Sequence, residues 1–388
     1  MAIPLNVFDG IERDLPGGAA PSVGAFEYLN RSSRPEAERV RRLIETWFSH
    51  FPAEGQDGLR RDLRDRDDVK HHSSFFELAI HELLHRQGHH VAIHPAVPSG
   101  AKKPDFLVTP PGGPPFYLEA TLSTGQSDLE RSAQRRLDDV LGCLDKARSK
   151  DFLLGVSYDG APKQPVATTR LQSELQQWLD GLDYDAVARS RVVAFADDPL
   201  VFRRDLYGLN LVVTAIARRD RQGMPARAVG LLSGEAKWRD VTEGLRNSIR
   251  NKAKRYGKLD APLVIAVNAL NAFVQMSDIA DAIFGTMALQ VPIDGSGEER
   301  GVRQRDGLLR DDASDTEFSA IIAAYRLTPW ALSVSGAGLL TNPRATHPLA
   351  EDALPLPPLD NRARNAAATP VRDLFGLPDG WPGTPQVP

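Results

Sequence analysis

The chain has 388 residues, with 47 lysines and arginines against 51 aspartates and glutamates, so its formal net charge is −4. This balance excludes a globally basic protein, and the 41% of hydrophobic and 25% of charged residues exclude a chain that is disordered throughout. Cys143 is the single cysteine, which excludes an intramolecular disulfide and a thiolate metal site. Any metal site must therefore use oxygen or imidazole ligands.

The first residues contain no basic stretch followed by an apolar one, which a secretory signal would have. No later run approaches the roughly 18 apolar residues that a membrane span needs. We therefore expect a cytoplasmic protein that has no membrane partner.

Apolar residues at helical spacing predict two helices in the N-terminal part. The first follows Ser33-Arg34-Pro35-Glu36, in which Ser33 would be the N-cap. The second covers residues 73–85 and ends near Gly88. Three short strands are predicted next, over residues 90–96, 105–109 and 116–123, with a turn rich in proline and glycine between the last two.

Helices and strands alternate along the rest of the chain. The strands at 209–217 and 228–232 would pair, and the continuous apolar run at 262–268 is typical of a strand covered on both faces. The alternation predicts an α/β fold with a mixed central sheet flanked by helices. Further helices are predicted over 128–149, 169–188, 241–256 and 278–284, further strands over 151–158 and within 319–334, and a polar loop over 295–315.

Composition and pattern divide the chain into four parts. Residues 1–70 form an N-terminal helical extension, and residues 71–160 form a core that carries the motifs described below. Residues 161–346 form a second α/β portion with a basic helix, which can complete the same sheet. The tail at 347–388 holds 9 prolines in 42 residues, which is typical of an extended peptide that lies over the surface or is mobile.

Two carboxylates are expected to meet across the predicted hairpin. Alternation in the strand at 116–123 puts Glu119 and Thr121 on the same, polar face. Pairing with the preceding strand would bring Asp105 opposite Glu119, with Cβ atoms about 5 Å apart. Two ionised carboxylates so close repel each other unless a cation or a shared proton lies between them. Mg²⁺ takes oxygen ligands of this kind and also binds phosphate oxygens.

These residues resemble the PD-(D/E)XK, or restriction-endonuclease-like, nuclease superfamily. The match consists of Glu77 on an early helix, Pro104-Asp105, and Glu119-Ala120-Thr121 after a hairpin; the wider skeleton is similar to uncharacterised bacterial members. The resemblance implies a restriction-endonuclease-like core in which Asp105 and Glu119 bind one or two Mg²⁺ ions and Glu77 completes the metal site. It departs at Thr121, where the family usually has a lysine, and a hydroxyl cannot supply that positive charge.

A lysine elsewhere in the chain is a candidate replacement. In the helix predicted at 241–256, Lys252 falls inside the arc of apolar positions rather than opposite it, with Ser248 and Arg255 at the border. Lysines are rarely buried without a partner, so Lys252 would reach the carboxylates or extend along the helix flank. The surrounding residues 218–258 include 12 basic and 4 acidic side chains, as a phosphate-binding surface would.

Each of these residues also has a purely structural interpretation. Ser74 and Glu77 have the spacing of a capping box, although Glu77 also borders the apolar arc of its helix, where it would line a cleft. Asp105 could belong to an ordinary turn, Glu119 could be a solvated strand residue, and the basic segment could be a solvated face.

The motif His81-Glu82-Leu83-Leu84-His85 is a literal HExxH on a predicted helix. Zinc peptidases bind Zn²⁺ through two such histidines, and the glutamate acts on the metal-bound water. The extended form of this motif needs a third histidine at position 91, where this chain has Val91. Eight of the nine histidines lie between positions 50 and 94, which raises the chance of an accidental pair.

The sequence thus predicts a nuclease that hydrolyses nucleic-acid phosphodiester bonds with Mg²⁺ or Mn²⁺, with DNA as the expected partner. Asp105, Glu119, Lys252 and the Thr121 position would form its catalytic set, with Glu77 as an auxiliary ligand. One alternative is a catalytically degenerate nuclease-fold module that binds nucleic acid or a protein, which Thr121 favours. The other is a zinc hydrolase built on His81 and His85. The sequence does not indicate an oligomeric state.

Overall fold

The computed structural model describes residues 5–19, 23–98, 102–125, 128–189, 200–218, 226–234, 241–271, 274–290, 300–309, 317–359 and 369–383. Within these ranges, no helix combines the length and the apolar character needed to cross a membrane. The α-helices are α1 (Ala25–Arg31), α2 (Pro35–His50), α3 (Ala53–Leu63), α4 (Asp68–Arg86), α5 (Asp128–Leu144), α6 (Thr168–Asp180), α7 (Tyr184–Arg189), α8 (Val241–Ala253), α9 (Met276–Phe284) and α10 (Val371–Phe375).

The strands follow the α/β pattern that the sequence predicts. They are β1 (His90–Ile93), β2 (Phe106–Thr109), β3 (Phe116–Ser123), β4 (Arg148–Ser149), β5 (Phe152–Gly160), β6 (Val201–Asp205), β7 (Leu209–Ala217), β8 (Ala226–Arg227), β9 (Val229–Gly234), β10 (Leu263–Ala269), β11 (Met287–Gln290), β12 (Arg300–Arg303), β13 (Ala320–Tyr325), β14 (Gly336–Thr341) and β15 (Thr369–Pro370).

The chain divides into two compact units. The first unit comprises Met1–Gly17, Ala25–Gly125 and Arg239–Pro388, and the second comprises Gly18–Gly24 and Gln126–Trp238. These limits differ from the boundaries predicted at residues 70, 160 and 346. The reason is that strands from both ends of the chain join one sheet, while the segment between β3 and α8 packs largely on itself.

A mixed sheet of seven strands, in the order β1-β2-β3-β10-β13-β14-β15, organises the first unit. The strands β1, β2 and β3 form an antiparallel meander, and β10 lies parallel to both β3 and β13. All seven residues of β10 are buried, as its continuous apolar run predicts for a strand covered on both faces. The sequence-predicted α/β class with a mixed sheet flanked by helices is therefore confirmed.

Alternate residues of the central strands belong to two separate hydrophobic cores. Leu118 of β3 and Val264 of β10 pack in one core with residues of α2 and α4. Tyr117 of β3 and Ile265 of β10 pack in the other core with residues of α8 and α9. The two-residue repeat of a strand explains this division, because successive side chains point to opposite faces of the sheet.

The ends of two helices differ from the sequence prediction. The helix predicted from Ser33 has Arg34 at its N-cap, without a side-chain cap. The helix predicted from residue 73 begins at Asp68, because the Asp67 carboxylate accepts a hydrogen bond of 3.0 Å from the Val69 amide. Helix α4 is therefore more than a turn longer than its apolar pattern suggests, which changes the position of Glu77 within it.

The second unit contains a four-stranded sheet in the order β6-β7-β5-β9 and a small β4-β8 pair. The pairing predicted between the strands at 209–217 and 228–232 is wrong, because β5 lies between β7 and β9 and pairs with both. The helix predicted at 169–188 is divided into α6 and α7, and α6 ends with Gly181 as its C-cap. A separate hydrophobic core includes Leu175, Val213 and Phe202.

The chain leaves and re-enters the first unit at neighbouring points. Gly125, with φ +66°, follows β3, and Val241 begins α8. A Cβ added to Gly125 would lie 3.2 Å from Cγ1 of Val241, and one added to Gly244 would lie 3.0 Å from Cα of Gly125. Glycines at both positions permit this close approach of two backbone segments.

The proline-rich tail is only partly extended. In its described residues, β15 pairs with β14, and α10 places Val371 and Phe375 in the hydrophobic core. The predicted loop at 295–315 lies partly outside the described residues, and its described part contains β12, which pairs with β11.

Candidate active site

The β2–β3 hairpin brings Asp105 and Glu119 together. Phe106 pairs with Leu118, so the next residues outward are Asp105 and Glu119. The Asp105 amide donates a hydrogen bond of 3.2 Å to Oε2 of Glu119, and Oδ2 of Asp105 accepts one of 2.8 Å from the Ala120 amide. Each carboxylate is therefore held by the backbone of the opposite strand.

Glu119 is buried, with 2% of its surface exposed. The interpretation of Glu119 as a solvated strand residue is therefore wrong. Tyr117 and Thr121, on the same face of β3, are also buried, and Tyr117 belongs to the core that includes Leu245 and Ile249 of α8. A buried carboxylate must be paired or protonated, so the groups that contact Glu119 determine what this site can do.

Helix α8 and the 3₁₀ turn that follows it each supply one cation to Glu119. The ammonium of Lys252 donates a hydrogen bond to Oε1, and Nη1 of Arg255 lies 3.7 Å from the same oxygen. The two side chains are 24% and 39% exposed, respectively. Lys252 thus contacts the carboxylate instead of extending along the helix flank. Ser248, at the same edge, is bonded to the Gly244 carbonyl within the helix.

Tyr256 is a further neighbour of Glu119, which the sequence motifs do not indicate. It lies in the single 3₁₀ turn Lys254–Tyr256 after α8 and is 1% exposed. Burial, followed by the negative charge of Glu119 and a hydrogen bond to it, raises the pKa of Tyr256 above its usual value. The hydroxyl therefore stays neutral. Its position four residues after Lys252 on the same helical face was the available sequence signal.

Glu77 lies in the middle of α4, so it is not part of a capping box with Ser74. Burial is the largest cause of a raised pKa for Glu77, and the negative charges of Asp105 and Glu119 add to it, while Lys252 opposes it. Burial and Glu119 also raise the pKa of Asp105, against the Ala120 hydrogen bond and the charges of Lys252 and Arg255. The three carboxyl groups therefore act on one another electrostatically.

Thr121 occupies the position at which the resemblance would have a lysine. It lies next to Val267 of the parallel strand β10 and is 7% exposed. The hydroxyl brings no charge to the site, and the cation at Glu119 comes instead from Lys252 on α8. This geometry agrees with the prediction that a lysine from another part of the chain replaces the one missing at Thr121.

Glu77, Asp105 and Glu119 are the oxygen donors that this site offers to a metal ion. Over the described residues, no three histidine, cysteine, aspartate or glutamate side chains are grouped so that they could hold one. Glu77, Asp105 and Glu119 therefore do not form a ready three-ligand set. Mg²⁺ commonly keeps several waters and uses only one or two carboxylates, together with phosphate oxygens. Asp105 and Glu119, which neighbour each other across the hairpin, supply two carboxylates for that smaller requirement, and oxygen ligands suit a hard cation better than zinc.

The HExxH motif has a different environment. His81 is 3% exposed and packs against the rings of Phe51 and Phe106, with centroid distances of 4.8 and 6.1 Å. Burial lowers its pKa to about 4. His85 is exposed, with its ring stacked on that of His81 at 6.3 Å. The buried imidazole of His81 is thus packed as a core side chain.

The glutamate of the motif is held by two basic side chains. Glu82 is 1% exposed and lies 2.7 Å from Nδ1 of His50 and 2.7 Å from Nε of Arg86. A zinc peptidase needs this carboxylate beside the metal-bound water. Both carboxylate oxygens of Glu82 contact these basic side chains, and these contacts explain how Glu82 can be buried without a metal.

The basic segment around α8 is only partly within the described residues. Arg246 is buried and bonds to the carbonyls of Asp281 and Ala282 and to the Asp306 carboxylate, so its charge serves packing. Lys252 and Arg255 are the cations of this segment that contact Glu119.

Comparisons with protein-family models, with curated proteins and with solved structures find no match to the chain.

Proposed function

We propose that the protein is a nuclease of the PD-(D/E)XK type that hydrolyses phosphodiester bonds of nucleic acid, with DNA as the substrate, and requires Mg²⁺ or Mn²⁺. The observation that carries this proposal is the contact of Lys252 with Glu119, next to Asp105. An acid pair and a cation in one buried site are the groups that this chemistry needs. The core would consist of α4, the β1–β3 meander, α8 and β10.

Each residue would have a distinct role. Asp105 and Glu119 would hold the metal ion, which when bound supplies polarisation of the phosphate and a hydroxide near neutral pH. Lys252 would orient the attacking water and stabilise the negative charge of the transition state, in place of the lysine missing at Thr121. Glu77, whose carboxyl group interacts electrostatically with those of Asp105 and Glu119, would be the auxiliary group of the metal site. The half-exposed Arg255 would contact a neighbouring phosphate.

A cleavage assay tests this proposal. Plasmid, linear duplex, single-stranded DNA and RNA would be incubated with the protein and Mg²⁺ or Mn²⁺, or with EDTA. We expect metal-dependent cleavage that Asp105→Asn and Glu119→Gln abolish. Asp260→Asn is the matched control, because Asp260 also binds a buried hydroxyl of this unit, that of Tyr117, at 3.0 Å, without contacting Glu119. Cleavage that survives both acid substitutions would refute the assignment.

A second candidate is a degenerate module that binds nucleic acid without cutting it. Thr121 and the lack of a three-ligand group among the described residues favour this alternative. It predicts a mobility shift of DNA that is independent of metal, together with intact substrate after prolonged incubation with Mn²⁺. Cleavage in the same samples would exclude it.

A further inference from the structure

Both oxygens of the Glu119 carboxylate are already engaged in the protein as described. Oε2 accepts the Asp105 amide, and Oε1 accepts the Lys252 ammonium and lies 3.7 Å from Arg255. With 2% of Glu119 exposed, bulk water cannot supply further partners. The negative charge of this residue is therefore compensated by the chain itself.

A metal ion that uses Glu119 as a ligand must compete with Lys252. The ammonium and the dication carry charges of the same sign and would share one carboxylate, so both cannot bind it at full strength. Removing one partner of a buried ion pair is costly unless another cation takes its place. The metal is such a replacement, and its net affinity is reduced by the ion pair that it must break.

We propose that Lys252 competes with the metal ion for Glu119. In the metal-free protein the Lys252 ammonium holds the Glu119 carboxylate, and when the dication binds, the ammonium moves to the substrate phosphate. This inference rests on the proposed function. It assigns Lys252 two successive partners, first the carboxylate and then the phosphate. The exchange would couple metal binding to the arrival of a positive charge at the substrate.

The position of Lys252 suits such an exchange. It lies in the last turn of α8, its side chain is 24% exposed, and its flexible four-carbon stem carries a strongly hydrated ammonium. Asp105 and Glu119, by contrast, are held by backbone amides of the hairpin. The movable partner of the ion pair is thus the lysine, and the carboxylates stay in place.

Binding of Mn²⁺ alone, measured by electron paramagnetic resonance of the free ion, tests the inference without requiring cleavage. Lys252→Gln removes the charge but keeps a hydrogen-bond donor for Glu119, and we expect its dissociation constant for Mn²⁺ to fall about tenfold below that of the wild type. Lys252→Arg keeps the charge and should not gain affinity. Lys254→Gln is the matched control, because this exposed lysine of the next turn does not contact Glu119 in the described structure.

Equal Mn²⁺ affinity of the wild type and Lys252→Gln would overturn the inference, and so would an equal gain in Lys254→Gln. Thermal unfolding of each variant, with and without Mn²⁺, shows whether it folds and whether the metal stabilises it. If the wild type cleaves DNA but Lys252→Gln gains no affinity, the inference fails and the proposed nuclease stands. If the wild type neither binds Mn²⁺ nor cleaves, both fail.

Discussion

Lys252 and Glu119 lie 133 positions apart in the chain, and the ammonium of the lysine donates a hydrogen bond to the carboxylate of the glutamate. The longer segment of the second unit, Gln126–Trp238, lies between them in sequence. Their contact joins the helix α8 to the strand β3 in the first unit, and it gives the site the positive charge that Thr121 does not supply.

Loss of this charge should reduce cleavage strongly. We expect Lys252→Gln to lower kcat by about 10²- to 10³-fold, the effect of removing one group that stabilises transition-state charge. Lys163→Gln removes an exposed lysine of the second unit and is the control. Single-turnover cleavage at saturating Mn²⁺ separates this loss from any change in metal affinity, and an unchanged rate would remove Lys252 from the mechanism.

The buried histidine of α4 should make the protein sensitive to acid. Burial lowers the pKa of His81 from its usual 6.5 to about 4, so the unfolded chain binds the proton more readily than the folded one. This contribution to stability is full above pH 6.5 and is lost as the pH falls toward 4. Between pH 7 and 5 the loss is about 2 kcal/mol.

Urea unfolding of wild type and His81→Leu at the two pH values measures this loss. The variant should lose less stability on acidification, since it has no imidazole to protonate at this buried position. His90→Leu, at an exposed position of β1, is the control. An identical pH dependence of wild type and His81→Leu would contradict the prediction.

Glu82 should matter for stability and not for metal binding. Its carboxylate accepts two close contacts from His50 and Arg86, so Glu82→Ala should reduce the free energy of unfolding by about 2 kcal/mol. A zinc hydrolase built on the HExxH motif would instead lose its activity with this substitution. Zinc analysis of the purified protein, together with the activity of the variant, distinguishes the two. Stoichiometric zinc that His81→Ala removes would favour the hydrolase.

The C-terminal helix α10 should behave as part of the core. Phe375 is 4% exposed, and its ring lies 4.5 Å from that of Trp47 on α2. We expect Phe375→Ala to lower the stability by about 3 kcal/mol, as other large-to-small core substitutions do. Asp373→Ala, on the exposed side of α10, should have little effect. Equal unfolding midpoints of wild type and Phe375→Ala in urea would mean that the tail does not contribute to the core.

The local patterns of the sequence were sufficient for the hairpin and its acids. Alternation in β3 and the turn before it predict that Asp105 faces Glu119, because the register of a short hairpin follows from its turn. The position of Lys252 within the apolar arc of its helix predicts that it reaches the carboxylates or extends along the helix flank, and the structure shows the first of these. Both signals are local, since each concerns a single strand or a single helix.

These local patterns did not predict contacts between residues that are far apart in the sequence. Strand β10 pairs with β3 although more than a hundred residues separate the two strands in sequence, and no local signal indicates this pairing. The start of α4 depends on a cap at Asp67, whereas the apolar pattern begins only near residue 73. The burial of the polar face of β3 depends on α8, which follows more than a hundred positions later.

Because Gly125 lies close to Val241 and Gly244, the segment between Gly125 and Val241 is a loop-like insertion whose two ends meet in the first unit. The entropic free-energy cost of bringing the two ends of such an insertion together rises by only about 0.6 kcal/mol for each doubling of its length. Shortening or lengthening this segment should therefore change the closure entropy of the first unit only slightly. During synthesis, however, the carboxylates would emerge from the ribosome long before their lysine, so the assembled site is a late product of translation.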